Sequence, residues 1–470
     1  MKARGLLALI AVAIAATGCV HERRFRFVHD QRNCFSPRVD PVPGIPADQK
    51  RQYPSIDCRS ALYKTGFIEL NEDGSYVDPT QARKVLALID AEKRRPPGGK
   101  IITFLYVHGW KNNGHPAAPG EKAQDVERFS TGLAELGFRA GIAAGGGTPV
   151  PIVGVYIGWR GKSLRGPSWF TFVSYWSRRN TANRVGGGTV LPAIINDVIE
   201  HTNAGSDKSR VVLVGHSFGA RVLEHAIENG VRLYDEEKVR QGPIVRPRVD
   251  LVLYVNSAND ARLSMGRVQA LQKNPITVRH PDYDPAACGA GSAQKPICKA
   301  YPLLVAITSK GDSATKWLLP VATSIAPDRK SAPTPPKPAG TFADRTPSPG
   351  IYRRAAAAHM PFMHSHTVTE MSCPLDHGEA PVCAAGDTSC VFGFRTRGDC
   401  DGCFKGNVRE AVNGHPPFNQ TAFWIMNVDK RISRDHGDIW NLSLLSLIGE
   451  LMAPRGFFEP GTGRMQIRAQ

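Results

Sequence analysis

The sequence predicts an α/β fold, a doubly wound and mostly parallel sheet with helices on both faces, and three observations predict it. Short unbroken apolar runs recur along the chain, helical stretches separate them, and a strand–turn–helix signature lies near the middle. The first run is 101–107. A strand buried on both faces of a parallel sheet reads as a continuous apolar stretch rather than an alternating one. Similar runs follow at 151–157, 210–214, 251–255 and 303–308, with a weaker one at 422–428. Between them, 122–136, 190–201 and 220–234 have helical character and the length that a crossover between parallel strands needs.

At the amino end, Lys2 and Arg4 put positive charge ahead of an apolar run at 6–16, which closes on Ala16, Thr17, Gly18 and Cys19. This is the pattern of a secretory signal, too short to cross a hydrocarbon core of about 30 Å comfortably as a permanent helix. Small residues before a lone cysteine resemble a bacterial lipoprotein cleavage box, although Ala16 stands where leucine is usual. The resemblance implies lipidation of Cys19 and membrane attachment through an N-terminal lipid anchor. Val20, in place of an aspartate, points to the outer membrane in the sorting pattern of enteric bacteria. The expected location is therefore the bacterial cell envelope.

The 470 residues suffice for one large core with insertions. The expected organisation is a signal at 1–18, a tether and lead-in at 19–60, and one catalytic domain at 61–470. That domain is interrupted at about 324–418 by an insertion that opens Pro-rich and becomes Cys- and His-containing. A second irregular stretch, 162–180, carries Trp169, Phe170, Phe172, Tyr175 and Trp176, and reads either as a lid or acyl-pocket wall or as core packing. Ten cysteines fit an oxidising compartment. The plausible local pairs are Cys34 with Cys58, Cys288 with Cys298 and Cys373 with Cys383, leaving Cys390, Cys400 and Cys403 in competition. The formal charge of +17 is spread along the chain without a dominant basic block. It fits either attraction to anionic lipid head groups or an Arg-rich composition, and no nucleic-acid-binding motif accompanies it.

The strongest signal is the turn Gly215, His216, Ser217, Phe218, Gly219 between the apolar run at 210–214 and a helix. A sharp strand-to-helix turn forces its central residue into a strained conformation, and glycines two positions either side provide room. The central hydroxyl is thereby lifted to the sheet edge, beside the free amides and positive dipole end of the following helix. His216 cannot serve as the base of its neighbour, and is read as filling space or shaping the pocket.

With His108, Gly109 and Trp110 following the run at 101–107, the sequence resembles the α/β-hydrolase superfamily. The resemblance covers most of 100–315, including the strand that ends at Trp159 and Arg160, and resumes near 422. It implies an oxyanion hole formed by the backbone amides of Trp110 and Phe218, and a catalytic order of serine, acid and histidine. Ser217 is then the nucleophile. For the acid, Asp312, in a Ser-x-x-Asp turn after the run at 303–308, is preferred to Asp260, which follows the preceding strand. For the base, His436 lies on the loop after the last apolar run, where an imidazole can reach back over the sheet edge.

His359, His364 and His366 could offer imidazoles to a metal, and Cys400 with Cys403 resembles half of a zinc site, but neither group has the complement that a closed site needs. No cofactor is expected. The expected function is hydrolysis of a carboxylic ester or related acyl bond through an acyl-enzyme, on a lipid-like or apolar acyl-ester substrate. The rival from another class is an envelope lipoprotein that keeps the fold as a non-catalytic binding scaffold.

Overall fold

The computed structural model describes residues 24–28, 38–39, 51–95, 98–110, 112–116, 123–143, 149–161, 175–206, 208–288, 298–325, 352, 355–371, 390–396, 402–408 and 421–452. Its centre is a sheet of eight strands: β1 (Ile56–Asp57), β2 (Tyr63–Leu70), β3 (Ile102–Val107), β4 (Ile152–Trp159), β5 (Arg210–His216), β6 (Leu251–Val255), β7 (Leu304–Ser309) and β8 (Phe423–Val428). Their spatial order is β8-β7-β6-β5-β3-β4-β2-β1. Every neighbouring pair is parallel except β1 with β2. The architecture is thus the α/β one that the apolar runs predict, and it is compatible with an α/β-hydrolase-like fold.

Side chains of successive strand residues go to opposite faces, so each strand feeds two cores. Leu105, Val107, Leu213 and Val252 face one core with Val85 and Ile89 of α1 (Pro79–Lys93), Ile195 and Val198 of α4 (Val190–Asn203), Val222 and Leu223 of α5 (Phe218–Glu228), and Val268 of α6 (Ala261–Lys273). Phe104, Tyr106, Val212 and Leu253 face the other, with Phe129 and Leu133 of α2 (Asp125–Ala143) and Leu444 and Leu447 of α7 (Leu442–Met452). Helix α3 (Tyr175–Gly187) packs on the first face through Ala182 and Val185.

The order matters for function. From β3 the chain passes to β4 on one side, whereas β5 lies on the other, so the strand order reverses between β3 and β5. At such a switch point the loops leaving the carboxyl ends of the two strands diverge and leave a crevice. The loop carrying Gly109 and Trp110 and the turn carrying Ser217 are the two that leave these ends.

The sequence missed β2, because its polar Lys64, Thr65 and Glu69 interrupt the apolar run. Glu69 is nonetheless buried, and accepts hydrogen bonds from the backbone amides of Phe25 (2.9 Å) and Arg26 (2.8 Å). Arg26 lies over Phe67 at 3.5 Å and donates to the Gly114 carbonyl, so residues 24–28 of the expected lead-in are folded against the sheet. Among the paired cysteines, Cys288 and Cys298 form a disulfide, as their spacing suggested. Cys58 is also disulfide-bonded, whereas Cys34, Cys373 and Cys383 lie outside the described residues. So do the signal, Cys19 and Val20, and Trp169, Phe170 and Phe172 of the expected lid. Among the described residues no helix is long and apolar enough to cross a membrane. Within the insertion, the strands His366–Met371, Gly402–Val408 and Cys390–Thr396 form an antiparallel sheet with the second in the middle.

A polar cluster joins α3, α5 and the start of α6. Arg221, almost fully buried, donates to Asn183 (2.6 Å) and Asn259 (3.2 Å), and Asn259 in turn donates to one oxygen of Glu224. The other Glu224 oxygen and the Tyr254 hydroxyl have no hydrogen-bond partner among the described residues, and both residues line a cavity of about 10 Å³. Burial, aided by the charge of Glu228, pushes the Glu224 carboxyl up to about 8. A carboxyl raised in the fold binds more protons folded than unfolded between its two values, so ionisation makes the fold progressively less stable as pH rises from about 4.5 to about 8. Glu224→Gln is therefore expected to raise the melting temperature by about 2 °C or more at pH 9. The gain should shrink at pH 5 in thermal unfolding monitored at both values; an equal gain at both would show that Glu224 does not titrate in this window.

Candidate active site

The site begins with the backbone of Ser217, which has φ 55° and ψ −121° at the turn from β5 into α5. Positive φ costs a side-chain-bearing residue of order 1–3 kcal/mol, so it persists only where the surroundings leave no alternative. Here they do not. A Cβ on Gly219 would lie 2.0 Å from the Val107 carbonyl oxygen, so α5 abuts the end of β3 with no room for a side chain. The helix starts at Phe218, two residues before the start expected from the sequence, because the bend is completed at the serine itself.

The loop after β3 closes over this turn. A Cβ on Gly109 would sit 2.8 Å from Ser217 Cβ, which brings the backbone just ahead of Trp110 against the serine side chain. His108 locks that loop. Its Nδ1 lies 2.9 Å from the Gly109 carbonyl, and its Nε2 accepts the Trp159 amide at 3.0 Å. The Trp159 indole donates to the His108 carbonyl at 2.8 Å. These partners require a proton on Nδ1 and none on Nε2. Burial agrees, lowering His108 to about 4 and keeping it neutral. Trp110 packs edge-on against Tyr175 and Phe218, and both of these rings are buried in the core, so Tyr175 follows the core-packing reading of its stretch.

His436 arrives from 219 residues further along the chain, and its Nε2 lies 2.7 Å from Ser217 Oγ. Its Nδ1 lies 2.9 Å from Asp312 Oδ1. Facing a carboxylate, Nδ1 carries the proton and donates it, which leaves Nε2 bare to accept from the serine hydroxyl. Asp312 is fully buried and accepts two further hydrogen bonds from one neighbour: the Thr315 amide donates to Oδ1 at 3.0 Å and the Thr315 hydroxyl to Oδ2 at 2.5 Å. Burial alone would push the Asp312 carboxyl up. The hydrogen bond and charge of His436, with the two Thr315 bonds, hold it below the ordinary carboxylate value, so it stays ionised at neutral pH.

The loop bearing His436 is positioned through its backbone. His216 Nε2 donates to the His436 carbonyl at 2.8 Å, and Asn256 Nδ2 donates to the same oxygen at 3.0 Å. Asn256 itself has φ 47°, and its Oδ1 accepts the Ser309 amide at 3.0 Å. The Ser309 hydroxyl donates to the Ser433 carbonyl, and a Cβ on Gly311 would lie 2.0 Å from the Arg434 carbonyl oxygen. His216 is thus a clamp on the histidine loop rather than a filler. It can act so because burial, reinforced by His436, lowers it to about 3 and keeps it an uncharged single donor.

Asp260 is elsewhere. It caps α6 through the Arg262 amide, forms a two-point ion pair with Arg262 at 2.8 and 2.9 Å, and lies 3.9 Å from Arg221. Of the two carboxylates considered as the acid, the structure brings Asp312 to His436 and leaves Asp260 in the ion-pair cluster. His364 and His366 have separate partners: His364 Nε2 lies 2.9 Å from the Ala358 carbonyl, and the His366 ring lies tilted against Trp424 with centroids 3.7 Å apart. Among the described residues no group of three or more His, Cys, Asp or Glu is placed to hold a metal ion.

The two carboxylates make a discriminating pair. Asp312→Asn removes the acceptor that fixes the His436 tautomer, and a fall of about 10³-fold or more in the rate of Ser217 phosphonylation is expected. Asp260→Asn should lower the melting temperature while keeping that rate within about threefold, because it weakens a buried ion pair that shares no hydrogen bond with the relay. The reverse ranking in a stopped-flow labelling assay would overturn the assignment.

Neither the models of known protein families nor the curated proteins contain a match to this chain. What the molecule presents is therefore its own geometry: a hydroxyl, an imidazole and a carboxylate in one hydrogen-bonded line at the switch point of an α/β sheet.

Proposed function

We propose that the chain is a serine hydrolase that cleaves a carboxylic ester or a related acyl bond through a covalent acyl-enzyme. The observation that carries this reading is the line from Ser217 Oγ to His436 Nε2 (2.7 Å) and from His436 Nδ1 to Asp312 (2.9 Å), with Ser217 in a strained strand-to-helix turn. Attack by the hydroxyl on an acyl carbon passes its proton to Nε2. The imidazolium so formed is stabilised by the ionised Asp312, and later returns the proton to the leaving group.

Negative charge developing on the acyl oxygen meets the Phe218 amide, an N-terminal donor of α5, and the Trp110 amide on the loop lying against Ser217. Each well-aimed donor is worth about 3–4 kcal/mol of transition-state stabilisation. Water then attacks the acyl-enzyme with the same imidazole as base.

The half-buried Trp110 ring, seated on the core rings of Tyr175 and Phe218, favours an apolar or lipid-like acyl group, since such a ring buries large area at little polar cost. An N-terminal lipid on Cys19 would hold the enzyme at the bacterial envelope, on the outer membrane, close to such substrates.

A fluorophosphonate probe should label the folded, disulfide-intact protein at Ser217, with the adduct located by peptide mass and lost in Ser217→Ala. A p-nitrophenyl ester panel should show turnover that rises with acyl length. Absence of both labelling and turnover in folded protein would favour the binding-scaffold reading instead. For the anchor, Cys19→Ser should abolish incorporation of labelled palmitate in a bacterial host and release the protein from membranes; retention of both would sink the lipoprotein assignment.

A further inference from the structure

The acid of the relay has a face that the three-residue line does not use; Thr315 occupies it, and His359 of the insertion stands behind Thr315. Thr315, buried behind Asp312, has its hydroxyl 2.5 Å from Asp312 Oδ2 on one side and 2.8 Å from His359 Nε2 on the other. A hydroxyl has one proton and two lone pairs. If that proton went to His359, the carboxylate would face a bare oxygen at 2.5 Å, lone pair against negative charge. The proton therefore goes to Asp312, and His359 donates its own Nε2 proton into the Thr315 oxygen. The polarity of the chain is fixed by chemistry: His359 to Thr315, Thr315 to Asp312.

Resting on the serine hydrolase reading above, we propose that His359 is a positioning residue for the reaction, bracing Asp312 through the Thr315 hydroxyl, and that the insertion exists in part to deliver it.

The backbone around His359 is built for this. Ala357–His359 is a single tight turn, with Ala357 and Ala358 buried. Upstream, the Ala355 carbonyl accepts the Ala261 amide at 2.8 Å, which ties the segment to the start of α6. Downstream, the Ser365 amide donates to the Ile425 carbonyl at 3.1 Å, and the Ser365 hydroxyl accepts the Ile425 amide at 2.9 Å, which ties it to β8. Between these anchors Met360 and Met363 are buried. The segment is thus pinned on both sides of His359, and the imidazole has a defined place relative to the acid.

Each bond in such a chain polarises the next, so donation into the Thr315 oxygen strengthens the bond it makes to Asp312. Burial lowers His359 below its ordinary value, so it supplies this bond as a neutral ring near Asp312, Lys316, His364 and His436 without adding a second cation to compete with the imidazolium. The consequence is a carboxylate held in one rotamer, with Oδ1 aimed at His436. A loosened carboxylate would let the His436 ring turn away from Ser217. Because the half-buried Trp110 ring is untouched, the loss should fall on kcat and leave KM alone.

The test is steady-state hydrolysis of a p-nitrophenyl ester by full-length protein carrying Thr315→Val, Thr315→Ser, His359→Ala or His359→Gln, with melting temperatures measured alongside. Thr315→Val should lower kcat about tenfold or more and His359→Ala about three- to tenfold, with KM within twofold of the parent. Thr315→Ser and His359→Gln each restore a donor at nearly the same reach, and should recover most of kcat. Parental kcat in both Thr315→Val and His359→Ala would overturn the bracing role while leaving the hydrolase reading intact. Equal losses in His359→Gln and His359→Ala, or losses that simply follow melting temperature, would overturn it in favour of packing. If Thr315→Val fails to fold, the two His359 variants decide alone. A parent protein that neither turns over ester nor takes the fluorophosphonate label would fail the hydrolase reading, and the bracing role with it.

Discussion

The backbone of Ser217 is the constraint on which the rest of the site depends. A residue with a side chain is held at positive φ because β5 must end and α5 must begin within one step, while β3 stands too close for anything larger than glycine at position 219. The strain is stored locally and is sustained by the two cores that clamp the strand and the helix. Its result is geometric. The hydroxyl stands at the carboxyl edge of the sheet, beside the first amides of α5 and against the loop that follows β3. Relaxing the turn would withdraw the side chain from every group that the other loops bring to it.

Those groups come from far apart in the chain, and uncharged polar residues do much of the gathering. His108 closes the loop after β3 onto Trp159, while His216 and Asn256 hold the carbonyl of His436. Both histidines are kept neutral by burial, at about 4 and about 3, so each provides directed hydrogen bonds without putting a second positive charge beside the imidazole of the relay. A buried cation at either place would oppose formation of the His436 imidazolium. In the proposed reaction, positioning by neutral donors and chemistry by a single ion pair are thereby separated within a few ångströms.

Much of this was legible in the sequence, for reasons that can be named. Strands buried on both faces leave unbroken apolar runs, so six of the eight sheet strands announce themselves, and the Gly-x-Ser-x-Gly turn marks where the bend must fall. The edge was harder. β1 has only two residues, and β2 carries Lys64, Thr65 and Glu69, the last buried only because backbone amides some forty residues earlier in the chain satisfy it. The sequence favours Asp312 over Asp260 without separating them, because both follow sheet strands, and only the fold shows that Arg262 and Arg221 surround one of them while His436 meets the other. His216 and His359 were invisible as positioning groups. Their partners are a backbone carbonyl 220 residues away and a threonine 44 residues earlier, and no local pattern encodes either contact.

The central claim is that hydroxyl, imidazole and carboxylate form one working line facing two backbone donors, and an experimental structure of the protein inactivated by a small organophosphonate tests it most directly. Phosphorus should be bonded to Ser217 Oγ, with the phosphoryl oxygen within hydrogen-bond reach of the Phe218 and Trp110 amides and with His436 still joined to Asp312. An adduct on another residue, or a phosphoryl oxygen turned away from both amides, would contradict the account.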